Sequence, residues 1–250
     1  MSWSSNRKTL YFIIVLFVII VLIALPIFFL VYRAPTCFDG KRNGNEAGVD
    51  CGGSCSRLCA SAFLPASVSW SRYEEIAPSL YNLAAYIINP NPEGEAKNVP
   101  FKFSLYDNHG IPIEEYTGHV DLPPHRNSLA FIGAINVKNR KIGKVTFEFT
   151  DAPQWRKRVD PLSSLVISAK DYSEDESGSS LMVGLKNTGS SPINKITVFA
   201  VLFGGDGNAL GFSKTVVDGI YSGQTTTAPF TWPIDRKGEV VSIEIIPVAE

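Results

Sequence analysis

Four cysteines, Cys37, Cys51, Cys55 and Cys59, fall within the 23 residues CFDGKRNGNEAGVDCGGSCSRLC, and the rest of the chain has none. Three chemistries fit this spacing. The first is a pair of disulfides, for which four cysteines allow three pairings. The second is zinc, because Cys51, Cys55 and Cys59 recur every fourth residue and Cys37 would complete four thiolates. The third is calcium. With Asp39 as position one of a twelve-residue loop, Asn43 stands at five, Gly44 at six, Asn45 at seven and Asp50 at twelve, with Glu46 as a further oxygen ligand. Lys41 occupies position three, where a carboxylate belongs, and Asp50 replaces the bidentate Glu. In the plainest alternative, Asn43-Gly44 is a tight turn and the acids face water. So polar a loop cannot build a core of its own, and a covalent or ionic device must order it.

Few other residues offer chemistry. His109, His119 and His125 fall on turns and strand edges and read as surface side chains. No Gly-x-Ser-x-Gly elbow, phosphate loop or His-Glu-x-x-His pair is present. The acidic run Asp171 to Glu176 reads as a solvated loop, and Trp70, Trp155 and Trp232 as core or junction fillers. A net charge of −1 and a pI near 6.3 exclude the basic footprint that nucleic-acid binding requires. No catalytic residue is assigned and no enzyme is expected.

The element that places all of this is the stretch from Thr9 to Tyr32, 24 residues without a charged side chain. At about 1.5 Å per residue it is long enough for a hydrocarbon core of roughly 30 Å. It is about twice the length of a signal-peptide core, and no small-x-small cleavage site follows it. It reads as an uncleaved anchor, kinked at Pro26. Arg7 and Lys8 precede it and Arg33 follows, so the basic bias is slight. Cysteines clustered just beyond the span suit an oxidising compartment. Both arguments put residues 1–8 in the cytoplasm and the region after residue 32 outside, in a single-pass protein of the cell membrane.

Beyond the linker Ala60 to Ala66 the chain overlays itself at a constant shift of 98 residues. Leu83 falls on Leu181, Asn89 on Asn187, Phe101 on Phe199, Phe103 on Val201 and Leu105 on Phe203. Two copies follow, 68–158 and 165–250, joined by the short, proline-stiffened Val159-Asp160-Pro161. Each copy has alternating strands, such as Phe101 to Leu105, with a hairpin turn at the same place: Asp107 to Gly110, and Gly205 to Asn208. Short runs rich in Val, Ile, Thr, Phe and Tyr, broken by Gly, Pro, Asn and Asp, predict a mainly β chain of two immunoglobulin-like or fibronectin-like sandwiches.

The stretch Phe103-Ser104-Leu105-Tyr106-Asp107 resembles the motif of the FxLYD domain family, and the second copy keeps its frame as Val201-Leu202-Phe203-Gly204-Gly205. The resemblance implies a small extracytoplasmic β-sandwich and brings no catalytic residues. Phe103 and Leu105 are expected in the core and Tyr106-Asp107 at the turn. The cysteine stretch likewise resembles the C-x-DG-x-x-NG-x-E…DCGG-x-C segments of bacterial surface proteins. The function expected is structural: a membrane-held pair of sandwiches presented to another cell-envelope protein or polymer. The alternative is a small ligand or lipid held inside the first sandwich, among Phe101, Phe103, Phe131, Phe147 and Phe149.

Overall fold

The structure is a computed structural model that describes residues 3–31, 34–57, 59, 63–138, 140–175, 178–234, 236 and 238–250. Two compact units result, residues 1–55 and 56–250.

The first unit opens with α1 (Trp3–Val31), a helix of 29 residues with Pro26 inside it. From Leu10 to Phe28 its described large apolar side chains, Val21 apart, are exposed, and the stretch Arg7–Phe28 is long and apolar enough to cross a bilayer. The expected end of the span, Tyr32, lies outside the described residues. The loop that follows is covalently closed. Cys37 is bonded to Cys55 with their Cα atoms 5.7 Å apart, and Cys51 and Cys59 are also in disulfide form, so no thiol is free for zinc.

The second unit contains strands β1 (Ser67–Ala77), β2 (Leu80–Ile88), β3 (Gly94–Tyr106), β4 (Pro112–Leu122), β5 (Ser128–Asn136), β6 (Lys144–Phe149) and the short β7 (Arg156–Lys157). They are followed by β8 (Leu165–Asp175), β9 (Gly178–Asn187), β10 (Ile196–Gly204), β11 (Ala209–Val217), β12 (Thr225–Trp232) and β13 (Val240–Ala249). In the first sandwich the sheet β1-β2-β5 covers the sheet β4-β3-β6; in the second, β8-β9-β12 covers β11-β10-β13, in the same strand order. Leu83, Phe101, Phe103 and Leu105 lie in the first core, and Leu181, Val198, Ala200 and Leu202 in the second. The acidic run expected as a loop is instead the end of β8 as far as Asp175, where its backbone pairs with β9; Glu176 lies outside the described residues.

The pairing registers correct the constant shift. Leu83 pairs with Ile132 and Leu181 with Phe230, so β2 and β5 correspond to β9 and β12 at 98. Phe103 pairs with Phe147 but Ala200 with Ile245, and Val99 with Val120 but Ile196 with Val217, which puts β10 and β11 at 97. Tyr73 opposite Leu83 matches Tyr172 opposite Leu181, which puts β8 at 99. A slip of one residue turns every side chain of a strand to the other face. The partners of Phe101, Phe103 and Leu105 are therefore Val198, Ala200 and Leu202, while Phe199, Val201 and Phe203 point out of the second core.

What they point at is the other sandwich. Phe199, Val201, Phe212, Ile246 and Val248 form a third apolar cluster with Ala84 and Leu129, edged by Trp70, Tyr86 and Phe131. Four sheets are thus stacked, and the two inner ones are covered on both faces. Such strands read as unbroken apolar runs, as β10 does in ITVFAVLF and β2 in LAAYII.

The junction is fastened as well. Arg126 bonds Asp160 at 2.7 Å and donates to the Leu162 carbonyl at 2.9 Å, and the Leu162 amide donates to Asp160 at 2.9 Å. With both sandwiches starting at this near end, the hairpins at 107–111 and 205–208 share the far end. The described part of the linker is docked on the first sandwich. Phe63 stacks on Trp155 at 5.3 Å, and Leu64 exchanges hydrogen bonds with the Asn91 side chain at 3.0 and 2.9 Å.

Candidate functional site at the seam between the sandwiches

The seam holds polar groups that no sequence motif marks. Glu74, on β1, is 5% exposed and forms an ion pair with Arg236, itself 8% exposed. Its other oxygen accepts the Phe212 amide of β11 at 3.1 Å. Burial pushes the Glu74 carboxyl above its ordinary range, against the pull of that amide and of Arg236. Nearby, Arg72 donates to Asn208, and Tyr86 donates to Glu244 at 2.7 Å. Burial, then the neighbouring Glu244, raises the Tyr86 hydroxyl. Trp70 lies 6.3 Å from Phe212, Phe131 lies 6.3 Å from both Phe199 and Phe212, and the Lys214 ammonium stands 5.9 Å from the Phe131 ring. Apolar area holds the faces together and the polar pairs set their register.

Two clefts open along this seam. One of about 890 Å³ lies at the far end, lined by Ile76, Pro78, Tyr81, Arg140, Lys141 and Ile234 among others. The second, about 210 Å³, lies on one side, where His119, Asn98 and Lys214 border Phe131 and Phe199.

The aromatic residues of the first sandwich fill it. Phe101, Phe103, Phe147 and Phe149 meet one another at centroid distances of 5.2 to 5.4 Å. Phe131 faces the seam instead. These rings form the interior they were expected to line.

In the motif stretch, Phe103 and Leu105 are buried and Tyr106 closes β3 half-buried. Asp107 caps the hairpin, accepting the His109 and Ile111 amides, both at 2.9 Å, and pairing with Arg140 at 3.1 Å. The Ile111 amide foremost holds its carboxyl below the ordinary range. Another polar pair is equivalent across the sandwiches. Buried Asn89 donates to the carbonyls of Gly94 and Pro123 at 2.8 and 2.7 Å and accepts the Asn91 amide at 3.0 Å. Buried Asn187 donates to Ser191 and Ile220 at 2.8 and 3.0 Å and accepts the Gly189 amide at 2.9 Å. The overlay of Asn89 on Asn187 thus marks a shared loop clasp.

In the cysteine loop the acids serve their own backbone. Asp50 accepts the Asp39 and Gly40 amides at 3.0 and 2.9 Å, and Glu46 accepts those of Asn43 and Asp50 at 3.2 and 3.3 Å. Asp39 accepts the Lys41 amide at 3.0 Å and the Asn43 side-chain amide at 2.8 Å, and the latter foremost lowers its pKa. The Asn45 carbonyl lies against Gly53, where a Cβ would fall 1.6 Å from it, and Gly53 holds φ +61°. Asp39, Glu46 and Asp50 do not converge. Among the described residues, the group with three ligand types within 4.8 Å is Cys37, Glu46 and Cys55, and both of its sulfurs belong to the disulfide. In this arrangement Asp39, Glu46 and Asp50 accept N–H groups of the loop, while the Asn43 Oδ1 is buried without a hydrogen-bond partner among the described residues.

No protein-family model matches the chain and no curated protein matches it. Among solved structures, it is similar to a β-glucuronidase from glycoside hydrolase family 2, at 11% identity and a TM-score of 0.23, over 88% of this chain and 29% of that one. It is also similar to a putative β-galactosidase from Bacteroides fragilis, at 12% identity and a TM-score of 0.21, over 67% of this chain and 32% of that one. A third, β-glucuronidase 2 of Bacteroides uniformis, gives 13% identity and a TM-score of 0.22, over 68% and 26%. The chain spans a third or less of each, and at these TM-scores the likenesses carry no argument.

Proposed function

We propose that the protein is a non-catalytic, membrane-anchored interaction module. Residues 1–8 lie in the cytoplasm, α1 crosses the bilayer uncleaved, and the sandwich pair stands outside to meet another envelope protein or polymer. The observation that carries this reading is the seam. It welds two sandwiches of the same strand order, which we read as two FxLYD-type copies, into one block with its hairpins on one end. The far-end cleft is the part of that block best placed for a partner. Lys41 and Arg42 offset the basic bias of Arg7 and Lys8, so orientation rests on the disulfides, which form and persist outside the cytoplasm. Confinement beside a membrane raises effective concentration, so weak contacts suffice. The reading assigns no reaction: His109 sits in a hairpin turn, His119 on β4 and His125 in the turn before β5.

The test is fractionation of cells expressing the full chain. It should stay in the membrane pellet after alkaline carbonate, run at full length, and lose residues 165–250 to protease added outside intact cells. A soluble product cut near residue 36, or protection from external protease, overturns the reading.

A further inference from the structure

A ring with almost nothing on it stands at the start of the cysteine loop: Phe38 is 85% exposed, and Val49 is 56% exposed. The two are chain neighbours of the same clasp, the Asp39 amide on the Asp50 carboxylate. They cannot fold inward, because the Cys37–Cys55 bond, the amide-filled carboxylates and the close approach of Gly53 to Asn45 fix the loop. Its acids are turned to its own amides. Lys41 and Arg42 are exposed, and neither forms an ion pair among the described residues. The outward groups are thus Phe38, Val49, Lys41 and Arg42, with the exposed Asp39 engaged by the Lys41 amide and the Asn43 side chain. Phe38 lies seven residues past Val31, the last residue of α1, a reach of at most about 25 Å. A bilayer's polar interface begins where its hydrocarbon core ends, and aromatic rings with neighbouring cations partition there.

We infer that the cysteine loop is a second membrane contact: Phe38 and Val49 enter the interface of the bilayer that α1 crosses, and Lys41 and Arg42 meet its phosphates. This rests on the anchored reading of α1. The disulfide staple then has a purpose beyond ordering a polar loop, since it holds an apolar tip outward that a free chain would bury. Two attachments, a span and a stapled loop, restrict how the outer end of the span tilts and turns.

The test uses the full, oxidised chain in phosphatidylcholine nanodiscs with and without acyl chains brominated near the headgroup. Phe38→Trp is compared with the parent chain, whose own tryptophan signal is subtracted. The expected result is emission from position 38 that is blue-shifted and quenched by the bromines, and quenched more when phosphatidylglycerol is added. The added quenching should vanish in Phe38→Trp combined with Lys41→Ser and Arg42→Ser. A chain that enters nanodiscs while position 38 emits as a solvated, unquenched indole overturns this inference and leaves the anchor standing. A chain that fails to enter them overturns both.

Discussion

Strands β3 and β10 occupy the same place in two sandwiches of one strand order, yet one is wet on a face and the other is dry on both. On β3, Phe101, Phe103 and Leu105 face the core while Lys102 faces outward, 3.0 Å from Glu115 and 3.1 Å from Glu148. At the positions corresponding to Lys102 and Ser104, β10 carries Phe199 and Val201, and both are in the seam. The reverse holds for β2 and β9: Ala84 is buried in the seam, while Met182 at the corresponding position is 45% exposed. The sandwiches therefore contribute non-equivalent sheets, β1-β2-β5 of one against β11-β10-β13 of the other. Such a head-to-tail contact needs two different surfaces, which explains how similar folds carry such different patterns.

The sharpest way to break this comparison is to place the same charge at both positions. Val201→Lys should cost about 4 kcal/mol or more, since it buries an unpaired ammonium. Ser104→Lys, on the wet face, should stay within about 1 kcal/mol. Urea unfolding of the two variants decides the matter, and equal costs would show that the faces are misassigned.

Next in size is the buried pair. Arg236→Leu leaves the Glu74 carboxylate in the seam without its cation and should cost about 3 kcal/mol at neutral pH. The loss should shrink on acidification. A carboxyl whose folded pKa is raised takes its proton in the folded state first, so stability climbs as pH falls through the folded value and levels off below the unfolded one. The wild-type carboxyl is already raised by burial, and without Arg236 it lies higher still. Recovery should therefore begin above the ordinary carboxylate range. Thermal unfolding across that window checks it, and a deficit that is flat with pH would mean that Glu74 is not buried as described.

A smaller effect should fall equally on both sandwiches. Asn89→Ala and Asn187→Ala each remove a side chain that donates to two carbonyls and accepts an amide, although the Ile220 carbonyl keeps the Ile193 amide, and each should cost about 2 kcal/mol. Chemical denaturation of the two single variants is the measurement. A large loss for one and none for the other would end the claim that the clasp is shared.

The strands and the disulfide-closed loop were legible because their signals are local: alternation over five residues, a turn after it, cysteines crowded near one another. The seam had a local signal too, the unbroken run Ile196 to Phe203, but a strand covered on both faces looks like any core strand until its second neighbour is known. Glu74 and Arg236 stand 162 positions apart, and no spacing rule joins them. The one-residue slips were hidden for another reason. Phe101 on Phe199 and Phe103 on Val201 are good matches by residue type, and type is blind to which side of a sheet a residue faces. In the cysteine loop, Asp39 and Asp50 stand at ligand-like spacing and also cap the loop's own amides, two uses of a carboxylate that spacing alone does not separate.

The two far-end hairpins give the finest contrast. Asp107 accepts two amides and an arginine, whereas Asp206 accepts the Asn208 amide at 2.9 Å together with the side chain of the same residue. Both carboxyls are held below the ordinary value of 3.8, Asp107 chiefly by the Ile111 amide and Asp206 chiefly by the Asn208 amide. A depressed carboxyl contributes stability that is present above its unfolded pKa and is lost as pH falls through the folded one. Amide resonances of Ile111 and Asn208 should therefore titrate with midpoints below 3.8. Arg140→Ala should move the Ile111 midpoint upward and leave that of Asn208 in place, because Arg140 pairs with Asp107. If both midpoints move together, the hairpins are coupled across the far-end cleft, and Arg140 and Lys141 on its wall act on both sandwiches rather than on the first alone.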